Sequence, residues 1–245
     1  MATQNKVAFI TGGNRGIGFE TAKRLGELDI EIIIGVRDLN KGLKAVEELE
    51  AMGITARAIE YDADKPGSDD AVYNYLERNY GKLDILVNNA GIMKEELMGN
   101  NSSTLTSDVL QKTFQTNLFS VVSLTQKLLP LVKKAPAGRI VNLSSILGSL
   151  TVHNMPNSPI EPAKAFAYNA SKTALNAYTV HLAHELKDTN IKVNSAHPGW
   201  VKTELGGPQA PMEVADSYKT SVYLATLDSN GPSGGFFHET EALPW

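Results

Sequence analysis

The sequence of 245 residues contains no cysteine. This absence excludes thiolate catalysis, disulfide bonds and zinc sites built on cysteine, and it fits a reducing compartment. Histidine does not indicate a metal site either, because His181 and His184 are three residues apart and no third ligand accompanies them. Hydrophobic residues make up 42% of the chain, which is enough for a core without a staple. We therefore expect a globular protein with no metal centre.

A strong charge of one sign and a long apolar run are also missing. The formal net charge is −4, so we expect neither nucleic acid nor a membrane as a partner. No apolar run reaches the roughly 18 residues of a membrane-spanning helix. The mostly polar residues 1–6 lack the apolar region and cleavage site of a signal peptide. These features predict a cytoplasmic protein.

Linkers, repeats and low-complexity segments are absent, which indicates a single domain over residues 1–245. Apolar runs and helical patterns alternate along the first quarter of the chain. Alternating strands and helices predict right-handed crossovers and a doubly wound parallel α/β sheet with helices on both faces. The predicted elements are strands at 7–10, 31–36 and 56–61 and helices from 17 and over 39–52.

Glycines follow the first predicted strand at Gly12, Gly16 and Gly18, and a helical pattern begins at Ile17. A strand, a glycine turn and a helix bring backbone N–H groups and the positive end of a helix dipole to one point, which suits a pyrophosphate. The spacing Gly-x-x-x-Gly-x-Gly differs from the common Gly-x-Gly-x-x-Gly pattern. A purely structural glycine loop is therefore the alternative.

Arg37 stands at the end of the second predicted strand, where an acidic residue would bind the ribose 2′-hydroxyl of NAD. Together with Arg15 in the glycine turn, it indicates a 2′-phosphate and hence NADP(H), because a guanidinium matches a phosphate. Alternatively, both arginines are solvated and Asp38 accepts from the ribose. Asp62, at the end of the third strand, is interpreted as an acceptor for the adenine amine or as a cap or turn residue.

Three further polar features follow along the chain. Residues 88–91, Asn-Asn-Ala-Gly, end the fourth predicted strand and are by themselves typical of a turn. Asn117 lies in a long helix predicted from about 108 to 133, where asparagine is unfavourable. It either faces solvent or points inward to hold a water or a bent backbone beside the site. Ser145 follows the strand predicted at 139–143, at the sheet edge where open α/β proteins bind ligands.

Tyr168 and Lys172 are four residues apart on a predicted helix and therefore share one face. A phenol has an ordinary pKa of about 10 and is a poor acid at neutral pH. A neighbouring ammonium favours the phenolate, so we expect Lys172 to lower the pKa of Tyr168 and make it a usable general acid. The alternative is a common surface pair, since tyrosine and lysine often occur at this spacing.

As a set, these motifs resemble those of the short-chain dehydrogenases/reductases over nearly the whole chain, and most closely those of the NADPH-dependent carbonyl reductases. The resemblance implies a Rossmann-type sheet of seven strands. The motifs that carry it are Thr11-Gly-Gly-Asn-Arg-Gly-Ile-Gly18, Asn88-Asn-Ala-Gly91, Asn117, Ser145, Tyr168-x-x-x-Lys172 and Pro198-Gly-Trp-Val-Lys-Thr203.

The resemblance also implies roles for individual residues. Tyr168 protonates the carbonyl oxygen as hydride arrives from the nicotinamide, and Ser145 hydrogen-bonds the same oxygen. Lys172 holds the nicotinamide ribose and lowers the Tyr168 pKa. Asn117 keeps a proton-relay water, and Thr203 orients the carboxamide. The implied NADP(H)-binding residues are Gly12, Asn14, Arg15, Gly16, Ile17, Gly18, Arg37, Asp62, Asn89, Ala90, Gly91, Tyr168, Lys172, Pro198, Gly199, Val201 and Thr203.

Two segments should border the substrate. A proline-containing loop at about 148–166 separates Ser145 from Tyr168 by more than is usual for the family. Animal carbonyl reductases carry a longer insertion there that covers the dimerisation face, so a monomer is favoured over a homodimer or homotetramer. Residues 204–211 are expected to form a mobile flap. Candidate substrate-lining residues are Leu147, His153 and Trp200.

The resemblance and the residues together predict NADPH-dependent reduction of a ketone or aldehyde, with a small carbonyl compound as substrate. A 3-oxoacyl-(acyl-carrier-protein) reductase is the alternative enzyme, since it shares the catalytic residues but needs a basic surface for the carrier. A non-catalytic NADP(H)-sensing protein is the alternative from another class. It is disfavoured because Tyr168 and Lys172 are both present.

Overall fold

The computed structural model describes residues 5–100 and 102–245. Residues 1–4, which open the polar N-terminal segment considered above, lie outside this part. The first half of the chain alternates strand and helix as predicted. Its elements are β1 (Val7–Thr11), α1 (Gly16–Gly26), β2 (Glu31–Val36), α2 (Leu39–Ala51), β3 (Ala56–Glu60), α3 (Ser68–Tyr80) and β4 (Ile85–Asn88).

The second half contains longer helices and the remaining strands. Its elements are α4 (Ser107–Phe114), α5 (Ser120–Val132), β5 (Arg139–Leu143), α6 (Leu150–Asn154), α7 (Phe166–Glu185), β6 (Lys192–His197), α8 (Lys219–Ala225), β7 (Phe236–His238) and β8 (Glu241–Ala242). Within the described ranges, every helix is too short or too polar to span a lipid bilayer.

The strands of the described residues form one sheet in the order β3-β2-β1-β4-β5-β6-β7-β8. All neighbouring strands pair in parallel except β7 and β8. The strand order reverses between β1 and β4, which pair from Ala8 opposite Ile85 to Ile10 opposite Val87. In a doubly wound sheet, the carboxyl ends of the strands at such a reversal form the ligand crevice.

Both faces of the sheet are buried, and alternate residues of a strand pack on opposite sides. Ile10 and Ile34 belong to the cluster beneath α1, α2 and α8. Phe9 and Ile33 belong to the cluster beneath α3, α5 and α7. The four side chains are fully buried. These two layers fix the strands, and with them the positions of the residues that follow each strand.

The sheet has eight strands, whereas seven were predicted. The additional strand is β8, which consists of two residues and pairs antiparallel with β7 through Phe237 opposite Ala242. The chain reverses between the two strands at Glu239, whose φ is 50°. A strand of two residues is too short to show a hydrophobic pattern, so this edge strand could not be predicted. The fold class is unaffected.

The segment at 148–166 contains the short helix α6 in addition to turns. The last residues of the chain hold this helix in place. Ser149 Oγ donates to the carbonyl of Pro244 at 2.7 Å, and the amide of Thr151 donates to the carbonyl of Trp245 at 2.9 Å. The Trp245 ring stacks on Phe236 of β7, with ring centres 5.7 Å apart. The segment is therefore attached to the edge of the sheet.

Candidate active site

A cavity of about 1300 Å³ lies at the carboxyl ends of β1, β4, β5 and β6. All the residues predicted to bind a cofactor line it. Ser145, Leu147 and Trp200 line it as well, whereas Asn117 and His153 are not among the lining residues. The fold thus brings the predicted residues from seven separate segments of the sequence to one crevice.

The glycine turn after β1 has a backbone that larger residues would not adopt. Gly12 has a φ of 65° and Gly16 a φ of 56°. A Cβ atom on Gly18 would lie 2.5 Å from the carbonyl oxygen of Gly12, so the start of α1 packs closely on the turn. Arg15 precedes α1 with extended backbone, and its side chain makes no capping hydrogen bond. Gly16, Ile17 and Gly18 line the cavity, so the helix start, whose first N–H groups have no acceptor within the helix, lies at the cavity.

Asn89 holds the glycine turn from the neighbouring strand β4. Its Nδ2 donates to the carbonyl of Thr11 at 2.7 Å and to that of Gly12 at 3.3 Å. In return, Thr11 Oγ1 accepts from the backbone amides of Asn89 and Ala90, both at 2.9 Å. The residues at 88–91 therefore do more than turn the chain. They fix the glycine turn against the adjacent strand.

The two predicted phosphate-binding arginines are both exposed at the cavity rim. Arg15 NH1 forms an ion pair at 2.5 Å with Glu204, in the predicted flap. This hydrogen bond to Arg15 lowers the pKa of Glu204. Asp38, the alternative ribose acceptor, caps α2, because its Oδ1 accepts from the amides of Asn40 and Lys41.

Asp62 lies on the cavity wall beside these arginines. Its Oδ1 accepts from the amide of Asp64 at 3.1 Å, which is a local turn bond. Its own amide donates to Ser68 Oγ at 2.8 Å, at the start of α3. Asp62 therefore acts as a turn residue, which was one of the two interpretations of the sequence, and it also lies at the crevice.

The long helix predicted at 108–133 is interrupted by a π-helical segment, Gln115–Phe119, between α4 and α5. Asn117 lies within it and is fully buried. Its Oδ1 accepts from the amide of Ile92 at 2.8 Å, and its Nδ2 donates to the carbonyl of Ile92 at 2.9 Å and to Ser171 Oγ at 3.0 Å. Asn117 was expected either to face solvent or to point inward. The side chain points inward, at a distorted part of the helix backbone.

Ser145, Tyr168 and Lys172 are buried next to one another. Ser145 lies close enough to Tyr168 to lower the pKa of its phenol. Lys172 Nζ lies 5.7 Å from the centre of the Tyr168 ring and donates to the carbonyl of Leu143 at 2.7 Å. A Cβ atom on Gly91 would lie 3.4 Å from Asn117 Oδ1 and 3.5 Å from Lys172 Nζ, so these side chains converge on Gly91.

Burial shifts both titratable groups of this cluster toward their neutral forms. It raises the pKa of Tyr168 to about 12, and the nearby Ser145 offsets only part of that shift. Burial also lowers the pKa of Lys172 to about 8. In the protein alone, removal of the phenolate from water dominates the pKa of Tyr168. That Lys172, together with the charge of a bound cofactor, lowers this pKa stays a prediction.

The side of the cavity where the substrate was expected is mainly apolar. Leu147 packs in a cluster with Tyr168, and Met93 and Leu97 pack against that cluster. Trp200, half exposed, donates from Nε1 to the carbonyl of Gly206 at 2.7 Å. Trp200 is thereby attached to the segment predicted as a flap.

His153 does not reach the cavity wall, in contrast to the prediction. Its Nε2 lies 3.1 Å from the carbonyl oxygen of Leu147, and its Nδ1 lies 2.8 Å from Lys164 Nζ. Burial lowers the pKa of His153. The side chain lies behind Leu147 and links α6 to the segment before α7, because α6 folds back on the sheet edge instead of extending over the crevice.

Two residues of the site had not been singled out from the sequence. Thr11 ends a buried apolar strand, and a polar residue at that position is a signal that was available. Glu95 lies after β4, and its Oε2 accepts from the amide of Tyr168 at 2.9 Å. No sequence signal reveals this contact, because it joins residues 73 positions apart.

The fold and the site define a dinucleotide-binding α/β protein with a serine, tyrosine and lysine at the crevice. The family model of short chain dehydrogenase matches residues 6–213, and the chain belongs to this family. Carbonyl reductase [NADPH] 1 of Mus musculus is 31% identical over 283 aligned residues, with both chains covered completely. The Homo sapiens protein of the same name is also 31% identical over the full length of both chains.

Solved structures of carbonyl reductases have the same fold. The NADPH-bound carbonyl reductase from chicken fatty liver superposes with a TM-score of 0.85 at 26% identity, covering 99% of this chain and all of that one. Carbonyl reductase Sniffer of D. melanogaster superposes with a TM-score of 0.82 at 30% identity, with the same coverage. This chain is therefore similar to carbonyl reductases in sequence and in structure.

Proposed function

We propose that the protein is an NADPH-dependent reductase that converts a ketone or aldehyde to an alcohol. The observation that carries the proposal is the buried cluster of Ser145, Tyr168 and Lys172 on the wall of a crevice that the glycine turn also borders. The similarity to carbonyl reductases whose names and titles state NADPH supports the choice of cofactor. It also supports a carbonyl compound as substrate.

The residues of the crevice fit a dinucleotide. The start of α1 presents backbone N–H groups beside Gly16, where a pyrophosphate is favoured. Arg15 and Arg37 lie at the rim and are exposed, which suits a 2′-phosphate that remains partly solvated. When bound, NADPH supplies the hydride that the carbonyl carbon accepts.

Tyr168 acts as the general acid. Because its pKa is about 12 in the protein alone, the phenol carries its proton throughout the neutral range. It donates that proton to the carbonyl oxygen as the C–H bond forms, and Ser145 Oγ hydrogen-bonds the same oxygen. Lys172, whose ammonium lies near the Tyr168 ring, stabilises the phenolate that the transfer leaves behind.

Asn117 holds the surroundings of this cluster in place through its bonds to Ile92 and Ser171. Ser171 Oγ in turn donates to the carbonyl of Tyr168 at 2.7 Å. The side chain therefore connects the segment after β4 to the helix of the general acid. We assign Asn117 to the proton path through a water beside Lys172, in keeping with its position next to Gly91.

The experiment that tests the proposal measures oxidation of NADPH with acetophenone, benzaldehyde, diacetyl or p-benzoquinone, and with a 3-oxoacyl chain on a carrier protein. We expect turnover of at least one free carbonyl compound and little preference for the carrier-linked chain. Faster reduction of the carrier-linked chain would favour the alternative reductase. Absence of turnover with NADPH on all of them would contradict the proposal.

The role of Tyr168 is tested by Tyr168→Phe, which removes the proton and leaves the ring. We expect NADPH binding within about twofold of the wild type and a loss of turnover of at least about 10²-fold, the size of a general-acid contribution. Tyr178→Phe, on the same helix and outside the cavity wall, is the control and should retain turnover. Unchanged turnover in Tyr168→Phe would refute the mechanism.

A further inference from the structure

Glu95 contacts the backbone of the helix that carries the general acid. It lies after β4, is half-buried, and is not among the residues of the cavity wall. Its Oε2 accepts from the amide of Tyr168 at 2.9 Å. Tyr168 is the third residue of α7, which spans Phe166–Glu185. The carboxylate therefore binds the main chain of the reacting residue itself.

The start of α7 needs such a partner. The first N–H groups of a helix have no acceptor within the helix. Ala165, at the N-cap position, has a side chain that cannot accept, and no side-chain cap is formed there. Glu95 supplies the acceptor from a segment 73 positions earlier in the chain. A carboxylate is also favoured at the positive end of a helix dipole.

The segment 92–97, which contains Glu95, is held in place near both of its ends. Asn117 binds the amide and the carbonyl of Ile92. Met93 and Leu97 pack against the apolar cluster that includes Tyr168. The carboxylate thus projects from a held backbone toward the start of α7, where it contacts the amide of Tyr168.

The other oxygen of the carboxylate argues against a role in stability alone. Glu95 Oε1 is buried, and among the described residues it has no hydrogen-bond partner. A buried, unpaired carboxylate oxygen is costly in free energy. Departures of this kind from full satisfaction of polar groups are typical of functional sites.

We propose that Glu95 is a positioning residue for the reduction: its carboxylate holds the amide of Tyr168 and thereby sets the phenolic oxygen relative to Ser145. The inference rests on the proposed role of Tyr168 as general acid. Displacement of a reacting group by about 1 Å lowers rates by up to about 10²-fold. Loss of the acceptor should therefore act on turnover and leave cofactor binding intact.

Three variants of Glu95 separate the effect of side-chain length from that of charge. Glu95→Asp keeps the charge but is one methylene shorter, Glu95→Gln keeps the length and a carbonyl acceptor, and Glu95→Ala removes both. With the free carbonyl compound that the wild type reduces fastest, we expect kcat to fall about 10- to 100-fold in the Asp and Ala variants. We expect Gln to stay within about threefold, and the Kd for NADPH to stay within about twofold in all three. The control is Glu96→Gln, an exposed neighbour that should match the wild type.

Equal kcat in the wild type and the Asp variant, or equal losses in the Gln and Asp variants, would overturn the inference. A loss of NADPH affinity in parallel with kcat would also overturn it, because that pattern indicates general disruption. If the Ala variant does not fold, the kcat values of the Asp and Gln variants decide whether Glu95 has the proposed positioning role. Tyr168→Phe, measured alongside, distinguishes the failure of the two proposals. If Tyr168→Phe retains turnover, the role of Tyr168 as general acid is contradicted. If Tyr168→Phe is inactive but the Glu95 variants have the kcat of the wild type, only the positioning role of Glu95 is contradicted.

Discussion

Lys172 Nζ lies 5.7 Å from the centre of the Tyr168 ring, one turn further along the same helix. It is held there by the carbonyl of Leu143, the last residue of β5. The sheet therefore fixes the cation, and the helix fixes the phenol. In the proposed mechanism, this arrangement places the ammonium where it stabilises the phenolate left by proton transfer, although burial dominates both pKa values beforehand.

Replacement of Lys172 by methionine should lower kcat for carbonyl reduction about 10²- to 10³-fold, because a preplaced positive charge is lost. It should also change the pH dependence. Since the pKa of Lys172 is about 8, the wild type should lose activity as pH rises through that value. The variant should lack this alkaline limb. The measurements are kcat, and kcat/KM for NADPH, between pH 6 and pH 10, because this ratio reports the pKa values of the protein without cofactor.

The control for this variant is Lys187→Met, just beyond α7, where the side chain is exposed. It should retain the wild-type rate and profile. An alkaline limb of the same midpoint in Lys172→Met and in the wild type would mean that another group titrates there, and the assigned role of the ammonium would be lost.

Arg37→Asp tests the phosphate contact at the rim of the crevice. A charge-assisted hydrogen bond contributes about 1.5–3 kcal/mol, which corresponds to roughly 10- to 150-fold in affinity. We expect a loss of this size in the Kd for NADPH and a change below about threefold for NADH, because only NADPH carries the 2′-phosphate. Fluorescence titration of the reduced cofactors measures both constants.

A matched control for the charge change is Arg57→Asp on the adjacent strand β3. Arg57 is exposed and does not line the cavity. The Arg57→Asp variant should leave the Kd for NADPH and the Kd for NADH within about twofold of the wild-type values. If Arg37→Asp weakened NADPH and NADH by the same factor, the guanidinium would have no contact with the 2′-phosphate.

The ion pair between Arg15 and Glu204 should compete with the cofactor. In the protein alone, Glu204 occupies the guanidinium that is proposed to bind the 2′-phosphate. Glu204→Gln should therefore raise the affinity for NADPH, by at most about fivefold, since exposed ion pairs are weak. The gain should shrink at high salt, because the charges are screened. A lower NADPH affinity in this variant would show that Glu204 assists binding.

The parts of the site that could be predicted are those set by regular structure. The spacing of Tyr168 and Lys172 defines one face of a helix, and the glycine turn between β1 and α1 leads into a helix start, where a phosphate is favoured. Each follows from residues close together in the sequence. The carboxyl ends of parallel strands then bring these elements to one crevice.

The parts that could not be predicted depend on the paths of loops. The pairing of Arg15 with Glu204 requires the flap to fold over the glycine turn. His153 was expected at the substrate but faces Lys164, because α6 returns to the sheet edge. The pKa of Tyr168 depends on how completely the surrounding chain excludes water. Such features are set by packing between distant segments, which local spacing does not encode.

His197, the last residue of β6, provides a test of charge in a partly buried position. Its side chain is half-buried at the cavity wall, and its Nδ1 is shielded from solvent. Burial lowers its pKa from 6.5 to about 3, and the neighbouring His238 acts in the same direction. The two ring centres are 4.9 Å apart. Because the folded protein keeps His197 neutral, protonation of this residue between pH 6.5 and about 3 occurs in the unfolded chain only.

The unfolded state therefore binds one more proton than the folded state in this range, and stability is lost as pH falls. The slope for one such residue is at most about 1.4 kcal/mol per pH unit. His197→Phe removes the titrating group, so its free energy of unfolding should fall less steeply than that of the wild type between pH 6.5 and pH 4.5. Urea unfolding at half-unit steps measures both curves. Parallel curves would mean that His197 is protonated in the folded protein as readily as in the unfolded chain, and that its ring is not shielded from water.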